Sequence, residues 1–328
     1  MTHRGRSWGR WRGAVGAAVV LAVALLATSC TSASPSGDAV PGALPVTYNI
    51  LPWLRALASD PTASPPGAND FDCVPTEAHP NPVVLVHGLI ATRAYWQTLS
   101  PLLKNEGYCV FALTYGSMPG RPWNGGLRRI EDSSVELATF VDEVLAATGA
   151  ARVDLVGHSE GTVMPQHYLK FRGGAPKVDK YVALGPLYQG TTFHGFVEIY
   201  RSLERWPVQF GQPLTATLDE QCAACRQVIS GSEFFDELYA DGVYAVPGVT
   251  YTTIMSSLDE LITPYTVGVL DAPNATNIVL QDGCAADQAE HGAVAWTPRA
   301  ARFVLNALDP AHAMTPPCVP TIYGIGVL

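Results

Sequence analysis

Residues 153–171 constrain the fold more than any other stretch of the chain. Val153–Val156 (VDLV) is a short apolar run of strand type, Gly157-His158-Ser159-Glu160-Gly161 follows at once, and Thr162–Phe171 returns to helical spacing. A serine between two glycines at that junction marks a sharp strand-to-helix turn, where small residues two before and two after the serine relieve crowding. A strand that feeds a helix in this way belongs to a parallel sheet, whose next strand is reached by a crossover. The remaining pattern agrees. Pro82–Val86 (PVVLV), Cys109–Thr114 (CVFALT), Lys180–Leu184 (KYVAL), Tyr251–Met255 and Ile278–Gln281 read as strands. Helices are expected over about Tyr95–Asn105, Ile130–Thr148 and Pro298–Leu308; in the second, Val135, Leu137, Phe140, Val141, Val144 and Leu145 recur at helical spacing. The alternation predicts an α/β architecture, a mostly parallel sheet with helices on both faces. The long stretch 188–247 between two strands reads as a lid or cap insertion, with plain helical packing as its alternative.

The first thirty residues read as an address. Four arginines precede Ala14–Ala27, an uncharged apolar run of 14 residues. That run is shorter than the ~20 residues needed to span a bilayer and suits the core of a signal peptide. Residues 1–29 are therefore expected to be a signal peptide, 30–70 a Ser/Pro/Gly-rich tether and N-terminal extension, and 71–328 the α/β domain. Ala27-Thr28-Ser29-Cys30 resembles a bacterial lipobox, so Cys30 is the candidate lipidation site. The protein would then be exported, either anchored on the outer face of the cell membrane or secreted. Beyond Cys30 the charge balance is 16 basic to 29 acidic residues. That sign repels phosphate backbones, and nucleic-acid binding is disfavoured; no protein partner is evident.

Chemistry enters with Ser159. A serine hydroxyl is a poor nucleophile at neutral pH and needs a neutral imidazole within reach. In the chain order Ser…Asp…His the histidine falls in the loop after the last strand, where His291 lies. Asp259 directly follows the strand of Tyr251–Met255 and is the expected orienting acid, with the adjacent Glu260 as its rival. His87-Gly88-Leu89 ends the first strand, so the backbone N–H groups of Leu89 and Glu160 are the expected oxyanion donors. No HExxH or comparable His/Cys cluster suggests a metal.

Together these residues resemble the class 2 lipase family of secreted actinobacterial esterases and lipases. PVVLVHG, GYCVFALTYG, VDLVGHSEG, CAACRQ, LDELITPYT, LQDGC and AEHG carry the resemblance, over about residues 82–310. It implies an α/β-hydrolase fold, Ser159 as nucleophile, Asp259 as acid and His291 as base. It also implies ester hydrolysis through an acyl-enzyme, with no cofactor. Glu160 departs from the pattern, relatives tending to carry Gln there, and Leu89-Ile90 is bulkier than the residues common at that place. The expected activity is a serine carboxylic-ester hydrolase acting on acylglycerols or similar lipid esters. An acyltransferase with the same triad and a non-catalytic lipid-binding lipoprotein are the alternatives.

Seven cysteines leave one unpaired in an oxidising compartment, and Cys30 is the odd one out. By position the other six pair as Cys73–Cys109, Cys222–Cys225 and Cys284–Cys318, one among the many pairings six cysteines allow.

Overall fold

The apolar runs pair edge to edge in one sheet. In the computed structural model, which describes residues 42–195 and 220–327, the strands are β1 (Val83–Val86), β2 (Val110–Leu113), β3 (Val153–His158), β4 (Val178–Leu184), β5 (Thr250–Met255) and β6 (Ala275–Val279). Their order is β2-β1-β3-β4-β5-β6, and every neighbouring pair is parallel. The helices among the described residues are α1 (Leu51–Ser59), α2 (Leu99–Asn105), α3 (Ile130–Thr148), α4 (Met164–Phe171), α5 (Ala223–Gln227), α6 (Glu233–Leu238) and α7 (Pro298–Leu308). The chain divides into Met1–Ala43 and Leu44–Leu328, and the fold described here is that of the second unit. The signal-peptide reading and Cys30 lie outside the described residues, as do residues 196–219 of the lid reading.

Strand side chains alternate between the two faces of the sheet, and each face has its own core. Val84, Val86, Phe111 and Leu155 pack with Leu137 and Val141 of α3, Tyr168 of α4 and Phe235 of α6. Val83, Leu85, Ala112 and Val156 pack with Leu99 and Leu103 of α2 and with Val304 of α7. Both sides of β1 and β3 are thus buried, which is why these strands read as unbroken apolar runs. The chain leaves β1 for β2 on one side and returns to β3 on the other. Beyond the carboxyl ends of β1 and β3 lies the crevice where open α/β sheets bind ligands.

Three elements differ from their sequence reading, each for a physical reason. The helix expected over 95–105 starts only at Leu99, after a separate 3-10 turn at Arg93–Tyr95. Pro101 cannot donate a backbone hydrogen bond and is tolerated only in a first turn, so the helix begins just before it. Pro165 acts alike: a 3-10 turn spans Ser159–Thr162, and α4 begins afresh at Met164. β6 runs over Ala275–Val279 rather than Ile278–Gln281; as an edge strand it exposes Thr276 and Asn277, so its pattern is not apolar.

The compact unit also reaches upstream of residue 71. Val327 N–H donates to Tyr48 O at 2.8 Å and Ile50 N–H to Ile325 O at 2.9 Å, joining both ends of the unit ahead of α1. Disulfides join Cys73–Cys109, Cys222–Cys225 and Cys284–Cys318. The first and third close loops of 36 and 34 residues. On the chain-entropy account each such closure stabilises by about 3–4 kcal/mol.

Candidate active site

The turn after β3 is shaped by backbone contact. A Cβ on Gly157 would lie 1.9 Å from Gly161 O, and one on Gly161 would lie 2.2 Å from Val86 O. Neither position admits a side chain, which accounts for glycine at both ends of the motif. Between them Ser159 is held at φ +56°, a left-handed conformation that costs a non-glycine residue on the order of 1–3 kcal/mol. That strain turns its hydroxyl towards the crevice.

The structure brings Ser159, His291 and Asp259 together from three loops at the carboxyl edge of the sheet. His291 Nε2 lies 2.8 Å from Ser159 Oγ, and His291 Nδ1 lies 2.8 Å from Asp259 Oδ2. Nδ1–H donating to the carboxylate leaves Nε2 free to accept the serine proton. The other carboxylate oxygen, Asp259 Oδ1, accepts from the backbone N–H groups of Leu261 at 3.0 Å and Ile262 at 2.7 Å, which fixes its orientation. The rival, Glu260, accepts from the backbone N–H of His291 at 3.3 Å.

Three further residues hold the histidine loop. His158 donates from Nε2 to His291 O at 2.8 Å, and the Tyr95 hydroxyl donates to Gly292 O at 3.0 Å. The Glu290 carboxylate accepts from the N–H groups of Gly292 and Ala293. Burial, with the neighbouring His291 adding to it, pushes the His158 pKa well below the usual imidazole range. It therefore serves as a neutral donor. No periodicity or motif marks Tyr95; the only traces of His158 and Glu290 are their places beside the serine in GHSEG and beside the histidine in AEHG.

The turn after β1 supplies the second wall. His87 donates from Nδ1 to Gly88 O at 2.8 Å and accepts from Tyr115 N–H at Nε2 (3.3 Å). Both nitrogens are used by one neutral tautomer, and burial pushes the pKa of the ring down to about 4. The Leu89 N–H makes no hydrogen bond to another described residue. Glu160 is the second residue of its 3-10 turn, so its N–H has no partner within that turn either. Leu89 lines the same pocket as Ser159, and Glu160 follows Ser159 directly in the turn.

Ser159 and His291 open onto a pocket of about 620 Å³, within the range of small-molecule sites. Trp53 of α1, Leu89 and Ile90 of the first turn, and Leu261 and Ile262 of the acid loop give it an apolar lining. Among the described residues no group of three His, Cys, Asp or Glu side chains is placed to hold a metal ion.

A parallel sheet with the strand–serine–helix turn at its switch point, and a histidine and an acid on later loops, makes this an α/β-hydrolase. The family model described as "Lipase (class 2)" matches residues 80–303, and the chain belongs to that family. A triacylglycerol lipase of Pseudarthrobacter phenanthrenivorans is 30% identical over 124 residues, 36% of this chain and 36% of that protein. One of Burkholderia plantarii is 30% identical over 124 residues, 36% of this chain and 32% of that protein. The chain thus spans about a third of the length of these curated relatives. Aspergillus fumigatus lipase B superposes with a TM-score of 0.54 at 19% identity, covering 84% of this chain and 63% of that one. At that identity the likeness speaks for the fold.

Proposed function

We infer that the protein is a serine carboxylic-ester hydrolase acting on acylglycerols or similar lipid esters. The observation that carries this reading is the line of 2.8 Å contacts from Ser159 through His291 to Asp259 at the floor of an apolar pocket. Ser159 Oγ attacks the ester carbonyl carbon while His291 Nε2 takes its proton, and Asp259 stabilises the imidazolium that forms. The carbonyl oxygen becomes an oxyanion between the N–H groups of Leu89 and Glu160, at the positive end of the turn that leads into α4. The intermediate collapses, His291 passes its proton to the departing alcohol, and an acyl-Ser159 ester remains. Water, deprotonated by His291, then repeats the sequence and releases the carboxylic acid.

The substrate class rests on the apolar lining and on the family, whose relatives above are named triacylglycerol lipases. An apolar pocket favours an acyl chain by about 0.8 kcal/mol per buried methylene. Rates on p-nitrophenyl esters from short to long chains, and on emulsified triacylglycerol, test the reading. kcat/KM is expected to rise with chain length until the pocket is filled. No hydrolysis of any ester by folded protein contradicts it. We take Cys30 as lipidated, the enzyme being tethered outside the cell membrane by the residues that follow it. Three disulfides suit an oxidising compartment. No helix among the described residues is long and apolar enough to cross a membrane.

A further inference from the structure

The side chain of Glu160 plays no part in the relay just described, yet it is fully buried beside it. Neither carboxyl oxygen has a hydrogen-bond partner among the described residues. Its place is defined by Gly126: a Cβ there would lie 2.5 Å from Glu160 Oε2, 3.0 Å from Gly88 O and 3.1 Å from Leu89 Cα. The carboxyl is therefore packed where the serine turn, the Gly88-Leu89 turn and the 125–126 segment meet. Those segments are laced together. Ile90 N–H donates to Gly125 O at 2.9 Å, Gly125 N–H to Ala91 O at 2.8 Å and Gly126 N–H to Tyr115 O at 2.8 Å. Pressure or slack at Gly126 is thus transmitted to the turn that carries Leu89.

We propose that Glu160 is a positioning residue, an uncharged carboxylic-acid wedge that sets the oxyanion turn, and that turnover fails at alkaline pH where the wedge becomes charged. A carboxylate at this place has no cation to offset it. Tyr115 after β2, His87 at the end of β1, His158 at the end of β3 and Tyr181 of β4 are the titratable groups on the strands around it. The Tyr115 hydroxyl donates to His87 O at 2.6 Å, and that of Tyr181 to Gly161 O at 3.0 Å. His87 and His158 are held neutral by burial. Glu136 of α3 acts on Tyr115 as well, and it is paired with Arg128 at 3.2 Å. Burial alone pushes the Glu160 carboxyl well above the usual carboxylate range. Once ionised, it would set a negative charge beside the oxyanion that forms in the transition state, opposing the stabilisation the two N–H groups give.

The inference rests on the ester-hydrolase reading, and two measurements test it. The first is kcat and KM for p-nitrophenyl butyrate between pH 6 and 9.5, for wild type, Glu160→Gln and Glu160→Ala. Glutamine keeps the shape without the proton, so Glu160→Gln is expected to lack an alkaline fall in kcat that wild type shows. Alanine leaves the turn unsupported, and Glu160→Ala should have a kcat about tenfold below Glu160→Gln, with KM little changed. The second is Tm for wild type and Glu160→Gln from pH 5 to 9, which needs no substrate. The unfolded carboxyl ionises near its ordinary value while the folded one holds its proton to higher pH, so in the interval between the two the native state binds more protons and stability falls as pH rises. Wild type should therefore lose Tm relative to Glu160→Gln across that range. An identical alkaline limb in Glu160→Gln, a Glu160→Gln as slow as Glu160→Ala, or a Tm difference independent of pH overturns the proposal alone. Wild type that hydrolyses no ester overturns the enzyme reading, and this proposal with it.

Discussion

Two contacts of 2.8 Å run through the His291 ring, and they demand different things of their partners. In the proposed mechanism Ser159 must lose a proton and form a bond, whereas Asp259 has only to hold the ring and stabilise its charged form. Ser159→Ala and His291→Ala are accordingly expected to lower kcat by about 10⁴-fold or more, with the thermal melt little altered. Asp259→Asn should lose at most as much as His291→Ala. An Asp259→Asn variant at wild-type rate beside an inactive Glu260→Gln would show that the acid is Glu260. The three side chains that the structure brings into contact were legible in the sequence because the roles proposed for them fix their order and places: a serine between two glycines after a strand, an acid after a late strand, a histidine after the last. The residues that hold them were not legible. His158, Tyr95 and Glu290 act by where the fold brings them; a place beside the serine in GHSEG or beside the histidine in AEHG does not reveal a holding role, and a lone tyrosine carries no spacing at all.

At the scale of the element, apolar runs flanked by glycine and proline identified the strands well, and α3 occupies the range its periodicity predicts. The starts of α2 and α4 were obscured by Pro101 and Pro165, which break a continuous apolar pattern into a turn and a shorter helix. α1 was hidden because it buries none of its residues fully, although Trp53 reaches the pocket wall. β3 carries a liability at the end remote from Ser159. Asp154 lies buried there, accepting from Asn81 Nδ2 at 3.2 Å and from Lys180 N–H at 3.0 Å. Burial, against the opposing pull of Lys180, pushes its pKa up to about 6. The folded carboxyl then keeps a proton that the unfolded one has released, so stability present below about pH 4 is lost as pH rises through about 6. Asp154→Asn should therefore gain on wild type between those values, by on the order of 2–3 kcal/mol, and hold a constant difference above them. Urea unfolding at pH 4, 5, 6 and 7 checks this; a difference independent of pH would contradict it.

The folded unit from Leu44 onward joins its two ends at the pocket. The chain around Tyr48–Ile50 pairs with the one around Ile325–Val327, and Ile50, Trp53, Tyr323 and Gly324 all line the cavity. The Cys284–Cys318 bridge ties the C-terminal segment back beside the histidine loop. That segments near both ends of this unit close a pocket was not visible in the sequence, since Ser/Pro/Gly-rich composition marks a tether and says nothing of where it stops. The anchoring of the enzyme is decided by the intact mass of protein from its native host. A mature N-terminus at Cys30 carrying acyl mass is expected, and an N-terminus beyond Cys30 without it would make the enzyme freely secreted. The central claim, that Ser159 is a nucleophile activated by His291, is tested most directly by a fluorophosphonate probe followed by peptide mapping. The account predicts about one label per folded wild-type molecule, on Ser159, and none on Ser159→Ala or, at the same exposure, His291→Ala. Folded wild type that takes no label, or label retained by Ser159→Ala, would contradict it.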